Sequence, residues 1–231
     1  MRTVITQGII LTRVDYGEAD RIVTYITPDN GKLHLMAKGA RKIKSRLAGG
    51  IELFSLSDIS FAPGRKELGT LVSARLREHY PSITHDIERV QQGYALLKLL
   101  NRLTEDDTEE QYFELIRTTL QSLDVPDIPL LLTDLWFRAR MLTFLGHQPN
   151  LISDAEGVRL DAGSSYDFDI EHMSFRRRPD GSDNLSAGQI KAMRLLFSRN
   201  SPSQLHRVTG LEGQLADLEP PVRLMSAHYL S

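Results

Sequence analysis

The sequence predicts an α+β protein: an N-terminal OB-fold, a five-stranded barrel, followed by a mainly α-helical domain with a small irregular or β-hairpin insert. Three observations lead there. Apolar residues alternate with period two through the first eighty or so positions and recur with a period near 3.6 afterwards. Turn signals at Asp29-Asn30-Gly31 and Pro63-Gly64 punctuate the early strands. The charge also divides: residues 1–77 hold 13 Lys+Arg against 7 Asp+Glu, whereas residues 78–231 hold 15 against 23. A net charge of −2 therefore conceals a basic front and an acidic back.

The runs Arg2 to Arg13 and Arg21 to Thr27 are β-branched and apolar and read as strands. Asn30-Gly31 suits the positive φ angles of a tight hairpin turn, so the next strand pairs antiparallel. In that strand Leu33, Leu35 and Ala37 face inward, and Lys32, His34, Met36 and Lys38 face outward. Ala40 to Leu47 is a basic segment with helical tendency. Ile51 to Phe61 and Leu68 to Glu78 complete the five strands, with Arg65 and Lys66 at the tip of the loop between them.

Beyond Tyr80-Pro81, Ile83, Ile87, Val90, Tyr94 and Leu97 form one helical stripe. Thr108-Glu109-Glu110-Gln111 resembles a capping box before a second helix, and Leu130 to Leu145 reads as a central helix stopped by Gly146. Residues 147–185 lack helical period; Gly157 to Asp161 and Asp167 to Arg176 suit a hairpin there. Ser186-Ala187-Gly188-Gln189 opens another helix, and Pro220-Pro221 introduces a last one to about Tyr229. The expected domains are 1–80 and 81–231.

Composition excludes several chemistries. With no cysteine there is no disulfide, thiol nucleophile, iron–sulfur cluster or cysteine-based zinc site. The first residues lack the pattern of a signal peptide and no apolar run approaches a membrane span, so a cytoplasmic protein is expected. No Walker loop, nucleophile elbow or paired-histidine helix is present, and no cofactor or enzymatic activity is expected.

Phosphate neutralisation requires several cations on one surface, and Lys38, Arg41, Lys42, Lys44 and Arg46 lie within nine residues without interleaved acids. With Lys32, His34, Arg65, Lys66, Arg75 and Arg77 they make up the expected nucleic-acid surface. Tyr16, Tyr25, His34, Phe54 and Phe61 are candidates for stacking bases, with packing the ordinary role of such rings. A rival reading places Mg²⁺ on Asp15, Glu18 and Asp20 for nucleic-acid cleavage; a third is an RNA-binding or scaffold barrel. Asp154, Glu156, Asp161, Asp167 and Asp169 do not follow a calcium-loop order and read as surface charge. Arg176-Arg177-Arg178 is a second basic cluster. Trp136, flanked by Arg138 and Arg140, is a candidate for docking an acidic-hydrophobic peptide, with a buried core position the ordinary role of such a ring.

The front segment resembles the RecO family of bacterial recombinational repair. The resemblance runs through Gly8-Ile9-Ile10-Leu11, Tyr16-Gly17-Glu18-Ala19-Asp20, Gly31-Lys32, Ala37-Lys38-Gly39-Ala40-Arg41 and Lys44-Ser45-Arg46, with further landmarks at Leu145 to Leu151 and Leu185 to Gly188. It implies an OB-fold and a helical body, binding of single- and double-stranded DNA, and annealing of complementary strands. It also implies the partners RecR, single-stranded-DNA-binding protein, RecA and, in some pathways, RecF, and hence a place at the nucleoid. Many members bind zinc through paired cysteines after the Leu-Gly-x-x-Pro-x-Leu stretch. Here Asp154 to Gly157 stand there instead, so residues 147–185 are expected to hold together without zinc.

Overall fold

The computed structural model describes residues 3–64, 68–161, 164–177 and 185–231. Five strands close into a barrel: β1 (Val4–Tyr16), β2 (Asp20–Ile26), β3 (Lys32–Ala37), β4 (Ser55–Ala62) and β5 (Leu68–His79), in the order β1-β2-β3-β5-β4. β4 returns to pair with β1, and only β3 and β5 run parallel. This is an OB-like Greek-key barrel, as the alternation predicts. The inward set includes Ile10, Val23, Leu35, Ala37, Ile59, Phe61 and Leu71 around a fully buried Tyr25. Burial pushes the Tyr25 phenol well above its ordinary pKa.

Two local expectations are corrected. The β2–β3 connection is a five-residue loop, Thr27 to Gly31, rather than a tight two-residue turn, since Ile26 pairs with Lys32. Gly31 alone takes a positive φ, 59°, and Thr27 Oγ1 satisfies the loop by donating to the Gly31 carbonyl and accepting from the Asn30 N–H. Ala40 to Leu47 is not helical. It runs through turns and bends into a short 3-10 turn at Ala48–Gly50.

The chain divides into two compact units, Met1–Pro126 and Asp127–Ser231. The first contains the barrel together with α1 (Pro81–Thr84), α2 (Ile87–Leu103) and α3 (Glu110–Leu123). Asp86 caps α2 by accepting from the Glu88 and Arg89 N–H groups. The buried Arg89 guanidinium reaches the carbonyls of Leu123, Val125 and Pro126 and so ties α2 to the end of α3. The expected capping box at α3 does not form: Glu109 is the N-cap, without a side-chain bond, and Thr108 instead donates to the Glu105 carbonyl. The buried face of α2 also differs from the expected stripe. Arg89, Gly93, Leu96, Leu97 and Leu100 are covered, whereas Ile87 and Tyr94 are exposed.

The second unit holds α4 (Leu130–Phe144), the hairpin β6 (Tyr166–Asp169) and β7 (Ser174–Arg177), α5 (Ala187–Leu196), α6 (Pro202–Leu205) and α7 (Leu215–Tyr229). α4 ends as predicted, with Gly146 at φ 81°. Ser186 and Gln189 form the predicted capping box of α5. Both strands of the hairpin fall on the second of the two expected segments, overrunning it by one residue at each end; the first contributes only an isolated bridge from Ser153 to Arg159. α7 begins five residues before Pro220, because Leu215 and Leu218 are buried and hold the first turn despite the prolines inside it.

Candidate nucleic-acid interface

Ala40 and Leu47 are buried in the barrel core, and between these two anchors the chain projects outward. Arg41 fixes the projection: its backbone N–H donates to the Ala19 carbonyl at 2.9 Å, and its guanidinium meets Asp15 at 3.4 Å and the Gly17 carbonyl at 3.3 Å. Lys38, Lys42, Lys44 and Arg46 are exposed and make no ion pair with a described carboxylate. Ile43 stands fully exposed between two of them. Four cations with open solvation on one anchored projection can exchange counterions for phosphates.

The opening of β3 is different. Lys32 turns its ammonium onto the Asn101 and Thr104 carbonyls, at 3.0 and 2.6 Å, where α2 ends and leaves acceptors unsatisfied. Its backbone N–H donates to the Asp106 carbonyl at 2.9 Å. Burial pushes the Lys32 ammonium below its ordinary pKa, against the pull of Asp106 and Glu105. His34 lies between Thr24 Oγ1 at 3.1 Å and Asp106 at 3.2 Å. The acidic connector between α2 and α3 thus lies on this end of the β2–β3 face. A Cβ on Gly31 would fall 2.2 Å from the Asp106 carbonyl, so the connector's approach requires glycine there.

Elsewhere on the barrel, Arg75 is exposed beside its register partner Asp58, which Arg77 approaches at 3.3 Å. Arg65 and Lys66 lie outside the described residues. Of the candidate stacking rings, Tyr25, Phe54 and Phe61 are buried and pack; Tyr16 is 55% exposed. Asp15, Glu18 and Asp20 do not converge on a metal. The Arg21 guanidinium donates to Asp15 at 2.8 Å and holds its carboxyl below the ordinary value, while Asp20 accepts the Gly39 N–H at 2.7 Å. No cluster of three metal-ligating side chains occurs among the described residues.

Comparison with known proteins gives this surface its setting. The family model described as recombination protein O N terminal matches residues 1–80, and the one described as recombination protein O C terminal matches residues 84–228. The chain belongs to the RecO family. Proteins named DNA repair protein RecO are similar to it: that of Halalkalibacterium halodurans is 35% identical over 63% of this chain and 57% of its own length. That of Roseiflexus sp. strain RS-1 is 36% identical over 63% and 51%, and that of Listeria monocytogenes serotype 4b strain CLIP80459 is 34% identical over 83% and 76%. The chain thus spans a little over half the length of the first two relatives. Neither the matched family models nor these relatives carry an enzyme's name.

The paired cysteines that hold zinc in many RecO-family members are absent from this chain, and Asp154 to Gly157 stand in their place. In place of thiolates, the Asp154 carboxylate accepts the Glu156 and Val158 N–H groups at 3.2 and 2.7 Å and closes the turn through the backbone. Asp169 does the same for Glu171 and His172, and also pairs with Arg176 at 2.6 Å. Arg177 pairs with Asp161, and Arg178 lies outside the described residues. The candidate docking residues of the helical region are engaged in its interior. Trp136 is buried and donates to the Asn200 carbonyl at 2.7 Å, Arg138 meets Asp134 at 2.9 Å, and Arg140 reaches the Phe197 and Ser198 carbonyls where α5 ends. Among the described residues no helix is long and apolar enough to cross a membrane.

Proposed function

We propose that the chain acts in DNA repair by binding DNA through the basic projection Lys38 to Arg46, with Arg75, Arg65 and Lys66 as further contacts. It binds single and double strands and anneals complementary strands. With RecR, and in some pathways RecF, it helps RecA load onto strands coated by single-stranded-DNA-binding protein, at the nucleoid in the cytoplasm. The observation that carries the DNA contact is the exposure of Lys38, Lys42, Lys44 and Arg46 without described counter-charges. The partners rest on membership of the family.

The test is a fluorescence assay of two complementary single strands mixed at several salt concentrations, with and without Mg²⁺, followed by gel analysis. Duplex formation accelerated by the protein, weakened by salt and leaving the strands intact, is the expected outcome. Mg²⁺-dependent fragments would replace this reading with a nuclease, and no effect on DNA alongside binding of RNA would replace it with an RNA-binding barrel.

A further inference from the structure

Within the first unit, a half-open cavity of about 570 Å³ lies between β1 and α2, lined by Leu11, Thr12, Leu53, Tyr94, Lys98 and Asn101. The Tyr94 ring is 48% exposed, yet it is not loose. It meets the Phe54 ring edge to face, at a centroid distance of 5.2 Å and an interplanar angle of 78°. Phe54 in turn is held at φ 57°, an unusual angle for a residue with a side chain, and it packs onto the helix backbone where Gly93 leaves room. A Cβ at position 93 would come within 2.6 Å of the Phe54 ring.

We propose that this cavity is a stacking site for an unpaired nucleobase of a bound single strand. The inference rests on the DNA-binding reading and adds to it a second contact outside the Lys38–Arg46 projection. A partly exposed aromatic ring lining a cavity is the kind of platform that single-strand binders use for a base. Lys98 lies one helical turn beyond Tyr94, is exposed and makes no ion pair among the described residues, so it can meet the adjoining phosphate. Arg13 also lines the cavity, but it is spent on Glu52 at 2.9 Å. Leu11 and Leu53 supply apolar walls, and the Asn101 amide and Thr12 hydroxyl can bond a base edge.

The barrel supplies a path to the cavity. Thr12, Val14 and Tyr16 share one face of β1 by alternation, and Val14 and Tyr16 are open to solvent. That row runs to Gly17, whose carbonyl holds Arg41 at the base of the basic projection. A strand lying along it is gripped by phosphate contacts at one end and by a stacked base at the other.

The experiment uses the full chain and a short thymine-rich strand carrying one 2-aminopurine. Wild-type protein should quench the 2-aminopurine. Tyr94→Ala should restore its fluorescence and weaken single-strand binding by about tenfold or more, with duplex binding within about twofold of wild type, because paired bases cannot leave the stack cheaply. Tyr94→Phe keeps the ring and should keep the quenching. Unchanged affinity and quenching in Tyr94→Ala would overturn the proposal, as would equal losses on single strand and duplex. A cavity that takes an acidic-apolar peptide through Tyr94 but quenches no base would also overturn it. A variant with Lys38, Arg41 and Lys44 all changed to Gln separates the two readings. If it loses binding while Tyr94→Ala does not, the cavity fails and the projection stands; the converse fails the projection alone.

Discussion

Lys32 opens β3 and Lys38 follows its end, so the two lysines flank one short strand, yet their surroundings have little in common. The first is folded onto the carbonyls at the end of α2, beneath an acidic connector that begins some seventy residues later in the chain. The second stands in solvent at the start of a projection anchored by Ala40, Arg41 and Leu47. Whether a cation is free to meet phosphate depends on what the rest of the chain brings to it. Local charge density marks where cations are plentiful, and only the fold distinguishes those already engaged.

This contrast can be tested from both sides. Lys32→Met keeps the apolar stem but removes two hydrogen bonds to helix-terminal carbonyls. It should lower stability by about 2 kcal/mol in urea unfolding and leave the salt dependence of DNA binding unchanged. A salt slope flattened by about 0.7 with intact stability would place Lys32 on the DNA instead. Asp106→Asn is the smaller perturbation. Its pairing with His34 is partly exposed, so stability should move by about 0.5 kcal/mol or less. Removing an anion from the edge of the face should raise DNA affinity, by less than about threefold at low salt. A large gain would mean that the connector screens the whole surface.

The barrel is legible where a strand buries one side, as in the alternation of Leu33, Leu35 and Ala37 or of Ile59 and Phe61. The capping box at Ser186 and the stop at Gly146 were legible for a similar reason: the chemistry is local. The α2 face was not. Its buried side includes Arg89, satisfied by three carbonyls near the end of α3, and Gly93, cut back to admit Phe54, and neither scores as apolar. By spacing alone Tyr94 therefore reads as core, although Gly93 within a helix is itself a sign of close approach. The acceptors of Trp136 and Arg140, at Asn200 and Ser198, are set by tertiary structure, as those of Lys32 are, whereas the partner of Arg138, Asp134, lies one turn before it on α4.

The central claim is that the Lys38–Arg46 projection carries the phosphate contacts. It is tested most directly by the slope of log affinity against log salt for a single strand, measured for wild type and for the variant with Lys38, Arg41 and Lys44 changed to Gln. At about 0.7 per phosphate contact, losing three contacts should flatten the slope by about 2. A slope equal to that of the wild type would contradict the account and move the phosphate contacts elsewhere on the molecule.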